Sequence, residues 1–269
     1  MTDIATLMLI VLAGCFGLLI GSHLNVVIHR VPRGESVVSP PSACPACGHH
    51  VRPYDNVPVL AWLWLRGKCR DCAAPISVRY PIVEALTGAL FALVAWWALS
   101  SGGPGLVALP AYLYLSALGV ALAFIDVDVH RLPDRLVLPS YAVLSVLLTV
   151  ASAAGDDWEA LGRAAIGGAG LGGFYLATAL AYKGGMGLGD VKLAVPLGAS
   201  LAWLGWGTFA VGVFLPFLVG GVVAVALLLT KRARRGDGVP FGPYMIAGTL
   251  TAWLVGRVMF EGYLELVGL

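Results

Sequence analysis

The chain has 269 residues, 59% of them apolar and 12% charged, with a formal net charge of +2 and a mean hydropathy of +0.86. A soluble domain carries roughly 25% charged residues, and one of this size cannot hide so much apolar surface from water. These values exclude most soluble enzyme folds, a disordered chain and a charge-driven nucleic-acid binder, and they make the lipid bilayer the solvent.

Stretches without Asp, Glu, Lys or Arg cover 4–29, 85–125, 136–155, 164–182, 193–230 and 238–256. A crossing helix takes about 20 residues, so two of these runs are double. The run 85–125 breaks at Ser100-Ser101-Gly102-Gly103-Pro104-Gly105, and 193–230 turns near Trp203–Gly207, its first half short and containing Pro196. The expected fold is an all-α polytopic membrane protein with eight crossings. Residues 1–29 form the first transmembrane helix, 30–80 a small insert before the second, and 81–269 a seven-helix membrane domain.

In the first helix, Gly17 and Gly21 are spaced for close contact with another helix. Leu12-Ala13-Gly14-Cys15 resembles a lipoprotein cleavage box, but no basic residue precedes Arg30 and Asp3 stands where one is needed. Cys15 is therefore read as a buried helix residue. Orientation follows from the excess of Lys and Arg in cytoplasmic loops. With the insert inside, 15 of the 17 basic residues are cytoplasmic and only Arg163 and Arg257 lie outside. Both termini then face out.

The insert holds Cys44-Pro45-Ala46-Cys47 and Cys69-Arg70-Asp71-Cys72. Each C-x-x-C forms a knuckle whose thiolates converge, and two knuckles complete a tetrahedral structural Zn²⁺ site. So small a domain has little core, so the metal supplies much of its folding energy. Disulfides are disfavoured on the cytoplasmic side, and no βαβ pattern supports a redox pair. His49 and His50 are alternative ligands that four thiolates make unnecessary. Trp62-Leu63-Trp64-Leu65 reads as domain core or as membrane-surface anchors.

The third crossing runs out at Asp126-Val127-Asp128-Val129-His130, followed by Pro133 and Asp134. Gly184-Gly185-Met186-Gly187-Leu188-Gly189-Asp190 feeds the sixth crossing on the same side. Two aspartates on facing helices at one depth can share a proton, activate a water and protonate a leaving amine. The alternative is a pair of interfacial capping residues with glycines that serve packing.

With these segments, Gly21–Arg30, Tyr54–Leu60, Leu65–Arg70, Arg79–Glu84 and Pro240–Tyr244 complete an ordered set. The chain resembles the bacterial type IV prepilin peptidases, membrane aspartyl proteases of the GxGD class. The resemblance implies cleavage of a prepilin or pseudopilin leader after Gly at the cytoplasmic face of the inner membrane. It also implies methylation of the new N-terminal residue from S-adenosylmethionine, the zinc-type domain on the four cysteines, and a substrate helix with a basic leader. It makes Asp126 and Asp190 the catalytic pair, Asp128 and Asp134 being rivals for the first position, with Pro133, Gly187, Gly189 and Lys192 in support. His23 stands where an apolar aromatic is common, and His130 lies one place beyond the family's His. No Gly-rich nucleotide fingerprint marks a methyl-donor site. A carrier using the same carboxylates predicts inverted repeats, which the chain lacks. A zinc-domain scaffold predicts function without the aspartates.

Overall fold

In the computed structural model, residues 4–181, 186–230 and 240–268 are described. Lys183, Gly184 and Gly185 and the basic residues Lys231, Arg232, Arg234 and Arg235 lie outside them. Nine α-helices occur among the described residues: α1 (Ile4–Arg30), α2 (Leu60–Trp64), α3 (Arg79–Leu99), α4 (Leu109–Val129), α5 (Asp134–Gly155), α6 (Trp158–Ala181), α7 (Leu188–Leu204), α8 (Trp206–Leu229) and α9 (Gly242–Val267). Among these residues there is no strand, only isolated bridges at Ala43–His50 and Lys68–Pro75. An all-helical membrane protein satisfies every backbone group within its own segments.

Among the described residues six helices are long and apolar enough to cross a bilayer: α1 with its extension to Arg33, α3, α4, α5, α6 and α8. The other two long helices differ for visible reasons. α7 has 17 residues and carries Asp190 and Lys192 in its first turns. α9 carries Arg257, Glu261 and Glu265 in its second half, where the Arg257–Glu261 pair at 2.8 Å lies on an exposed face. The breaks fall where the turn signals placed them, between Leu99 and Leu109 and at Gly205.

The chain forms two compact units, one up to Ala121 and one from Leu122. In the first, α1 packs on α3 through glycine. A Cβ on Gly17 would stand 2.7 Å from Phe91 Cβ, and one on Gly21 would stand 2.7 Å from Glu84 Cα. Only a missing side chain allows this approach. Cys15 belongs to α1 as expected but is exposed, not buried, because Gly14, Gly17, Gly21 and Leu24 take the packed stripe and Cys15 lies off it. His23 is likewise exposed on α1.

In the insert, Cys44 N–H donates to His49 O at 2.9 Å and Cys69 N–H to Ala74 O at 2.8 Å, closing two similar knuckles. The fourth residue after each first cysteine has positive φ, Gly48 at 74° and Ala73 at 57°. Trp62 is the core of this domain, since its indole N–H donates to Ile76 O at 3.0 Å and its ring covers Gly67. Arg70 clamps Asp55 with two of its nitrogens.

In the second unit, α6 and α7 meet at Gly168, Gly172 and Gly198, and α8 and α9 meet where Gly248 lies against Pro216. Indole N–H groups add polar ties between helices, Trp203 to Ser152 Oγ at 2.9 Å and Trp253 to Ser200 Oγ at 3.2 Å.

Candidate active site

Asp126 occupies the last turn of α4 and is 5% exposed. His130 ends that helix with a left-handed φ of 51°, its N–H donating to Asp126 O at 2.8 Å. Pro133 follows as the residue that caps α5, its carbonyl accepting the N–H groups of Leu136 and Val137. Having no N–H of its own, Pro is suited to a helix start. Leu132, between these two helices, is buried.

Asp190 is half-buried in the first turn of α7. Its Oδ2 accepts the N–H of Gly187 at 3.3 Å. Gly189 abuts Leu132, where a Cβ would stand 3.0 Å from Leu132 Cβ. Gly242 approaches Leu132 as well: a Cβ there would be 3.3 Å from Leu132 Cδ2 and 2.8 Å from Asp126 Oδ2. The N–H of Gly242 donates to that same oxygen at 3.1 Å. Leu132 is thus a wedge between two glycines, one beside each aspartate. Through Leu132 the end of α4 and the heads of α7 and α9 are brought together, with one aspartate on α4 and the other on α7.

Of the rivals to Asp126, Asp128 and Asp134 are both exposed. Asp134 is engaged elsewhere, with both carboxylate oxygens accepting from Lys192 Nζ at 2.8 Å. Tyr141 donates its hydroxyl to Lys192 O at 2.7 Å. Lys192 and Asp134 therefore tie α5 to α7, the helix that carries Asp190. Phe241, next to Gly242, packs at ring-centroid distances of 5.4 Å from Phe217 and 6.3 Å from Tyr175, giving the site an apolar flank. Gly242 itself has no role in the sequence reading. The signal available was Gly before Pro at the start of a helix, within a segment noted only for its resemblance.

The four cysteine sulfurs all lie within 4.8 Å of one another, and Cys44 Sγ is 3.8 Å from Cys72 Sγ. A tetrahedral thiolate site with Zn–S of about 2.3 Å has S–S edges of about 3.8 Å, whereas a disulfide needs about 2.05 Å. The donor set fits a tetrahedral metal. The backbone N–H groups of Cys47 and then Ala46 pull the Cys44 thiol down to about 6, while burial and the neighbouring sulfurs push Cys47 and Cys72 up, so one thiolate forms readily and a cation is needed to gather the rest. Hydrogen bonds from Arg70 likewise hold the Asp55 carboxyl below its ordinary value.

Two family models match the chain: the bacterial peptidase A24 N-terminal domain over residues 15–98 and the type IV leader peptidase family over 112–225. Among curated relatives, a prepilin leader peptidase/N-methyltransferase of Aeromonas hydrophila is 40% identical, over 93% of this chain and 91% of its own. Proteins of the same name from Pseudomonas aeruginosa and Neisseria gonorrhoeae are each 36% identical, over 94% and 91% of this chain and 92% and 88% of their own. No solved structure matches the chain significantly.

Proposed function

The chain belongs to the type IV leader peptidase family, and from that premise we propose that it is a membrane aspartyl endopeptidase that removes prepilin or pseudopilin leaders and N-methylates the new terminus. The observation that carries the peptidase reading is the convergence on Leu132: Asp126, buried and held by the Gly242 N–H, and Asp190, at the head of α7.

In this reading the two carboxyl groups close on one water and share one proton. The ionised one takes a proton from water as its oxygen attacks the scissile carbonyl carbon, while the protonated one donates to the carbonyl oxygen. Collapse of the tetrahedral intermediate then passes a proton to the leaving amine. In this reading Asp126 and Asp190 are the catalytic pair. Gly189 lets Leu132 pack against the head of α7, Gly187 holds the Asp190 carboxylate through its N–H, and Lys192 with Asp134 and Pro133 sets the positions of α5 and α7. Asp128 lies beside the pair on the exposed side of α4.

The substrate is itself a membrane helix with a basic leader. It enters laterally and is cut after Gly at the cytoplasmic face of the inner membrane, a side that the 15 basic residues favour. Zn²⁺ on Cys44, Cys47, Cys69 and Cys72 would stiffen the insert. S-adenosylmethionine would supply the methyl group. The described residues contain no strand leading through a glycine-rich turn into a helix, the arrangement that cradles a nucleotide-like donor, so no residue is assigned to that donor.

Intact-mass measurement of a prepilin incubated with the purified chain in vesicles tests both activities. Cleavage after the leader Gly is expected with or without the donor, and a further methyl mass only with it. An uncut prepilin under conditions where a relative cuts it would contradict the reading.

A further inference from the structure

The short helix α2 sits deeper than the rest of the insert suggests. α1 is 27 residues long, about 40 Å at 1.5 Å per residue against a hydrocarbon core of about 30 Å. Its end, with His29 and Arg30, therefore reaches the headgroups. On α3, Glu84 lies about 7.5 Å from the helix start, which places it near the boundary between headgroups and acyl chains. Glu84 is 8% exposed, packs against Gly21 of α1, and accepts the N–H of Val59 at 2.7 Å.

Val59 immediately precedes α2 and has φ 61° and ψ −51°. A β-branched residue there is strained and persists only where its surroundings dictate it. The buried carboxylate thus draws the insert down to its own depth. α2 turns Ala61 inward at 4% exposure, with Trp62 in the domain core. Leu60 and Leu63, each 57% exposed, and Trp64, 61% exposed, point outward, and the exposed Arg66 and Lys68 follow. Large apolar side chains rimmed by basic ones, at the depth of a helix start, fit a membrane interface.

We propose that α2 is an interfacial anchor: Leu60, Leu63 and Trp64 seat in the headgroup–acyl boundary of the leaflet where α3 begins, with Arg66 and Lys68 on anionic headgroups and Glu84 as the tether. The cysteine domain is then fixed to the bilayer. Basic side chains beside an apolar face favour an anionic lipid surface over a second apolar helix.

The test uses the full chain in phosphatidylcholine vesicles containing phosphatidylglycerol, with a fluorescent amino acid at Trp64 or, separately, at Leu63. Lipids brominated near the headgroup are expected to remove more than half of the emission, lipids brominated at the chain ends less, and aqueous iodide little. Strong iodide quenching would place α2 in water. Insensitivity to every quencher would mean that protein, such as a substrate helix or a second copy, covers the face. Either result overturns the proposal. Glu84→Ala should at least halve the lipid quenching while Glu84→Gln, which keeps an acceptor, retains it. Unchanged quenching in Glu84→Ala overturns the assignment of Glu84 as tether.

Discussion

Three carboxylates follow one another within nine residues at the end of α4 and the start of α5, yet their surroundings differ sharply. Asp126 is buried and held by a backbone amide, Asp128 is exposed, and Asp134 is neutralised by Lys192. Residue types single out Asp126 and Asp190 as candidates because charge is so sparse that an acid at a helix end stands out. The amide of Gly242 was not readable, since a backbone donor leaves no mark in residue chemistry. Its consequence can be measured. A Cβ at Gly242 would crowd Asp126 Oδ2 at 2.8 Å, and small misplacements of a reacting group cost up to about 10²-fold in rate. Gly242→Ala should therefore lower kcat by about 10-fold or more while KM stays within about twofold. Gly248→Ala, on the same helix as Gly242 but against Pro216 of α8, should reduce folded yield but leave kcat per folded molecule unchanged. Equal kcat losses in the two variants would reduce Gly242 to a packing residue.

The helices were largely predictable, because a bilayer leaves the backbone few choices and charge-free runs mark the spans. Helix faces were not. In lipid, hydropathy does not separate a buried side from a lipid-facing one, which is why Cys15 was misassigned while Gly17 and Gly21 were placed correctly. The ends of α6 and α9 also escaped the charge-free criterion. Both helices carry charges, Glu159 and Arg163 in one and Arg257 and Glu261 in the other, that pair along the helix. The cysteine knuckles were fully legible from spacing, since a four-sulfur site is built locally. Whether the four sulfurs hold a metal can be measured. Zinc stripped by thiol modification should appear at one equivalent per chain in a chromogenic assay. The segment between Ser42 and Ile76 should then become protease-sensitive while the membrane helices stay resistant. A stripped insert that keeps its resistance, or a chain that releases no zinc, would contradict a structural metal.

For the molecule as a whole, the low charge content was informative mainly through its distribution. The excess of basic residues on one side is the basis of the proposed orientation, and the catalytic proposal requires the start of α7 and the end of α4 to share that side. What residue patterns did not convey is how two helix ends come together. That depends on Leu132 filling the gap between Gly189 and Gly242, a long-range coincidence of one loop and two helix starts. The central claim is that these two aspartates perform the chemistry, and leader cleavage in membranes by Asp126→Asn and Asp190→Asn tests it most directly. Asn preserves size and hydrogen bonding but cannot exchange the proton. Each variant, inserted at the normal level, should lose on the order of 10³-fold or more in cleavage rate. Full cleavage of an authentic prepilin by either one would contradict the two-aspartate account.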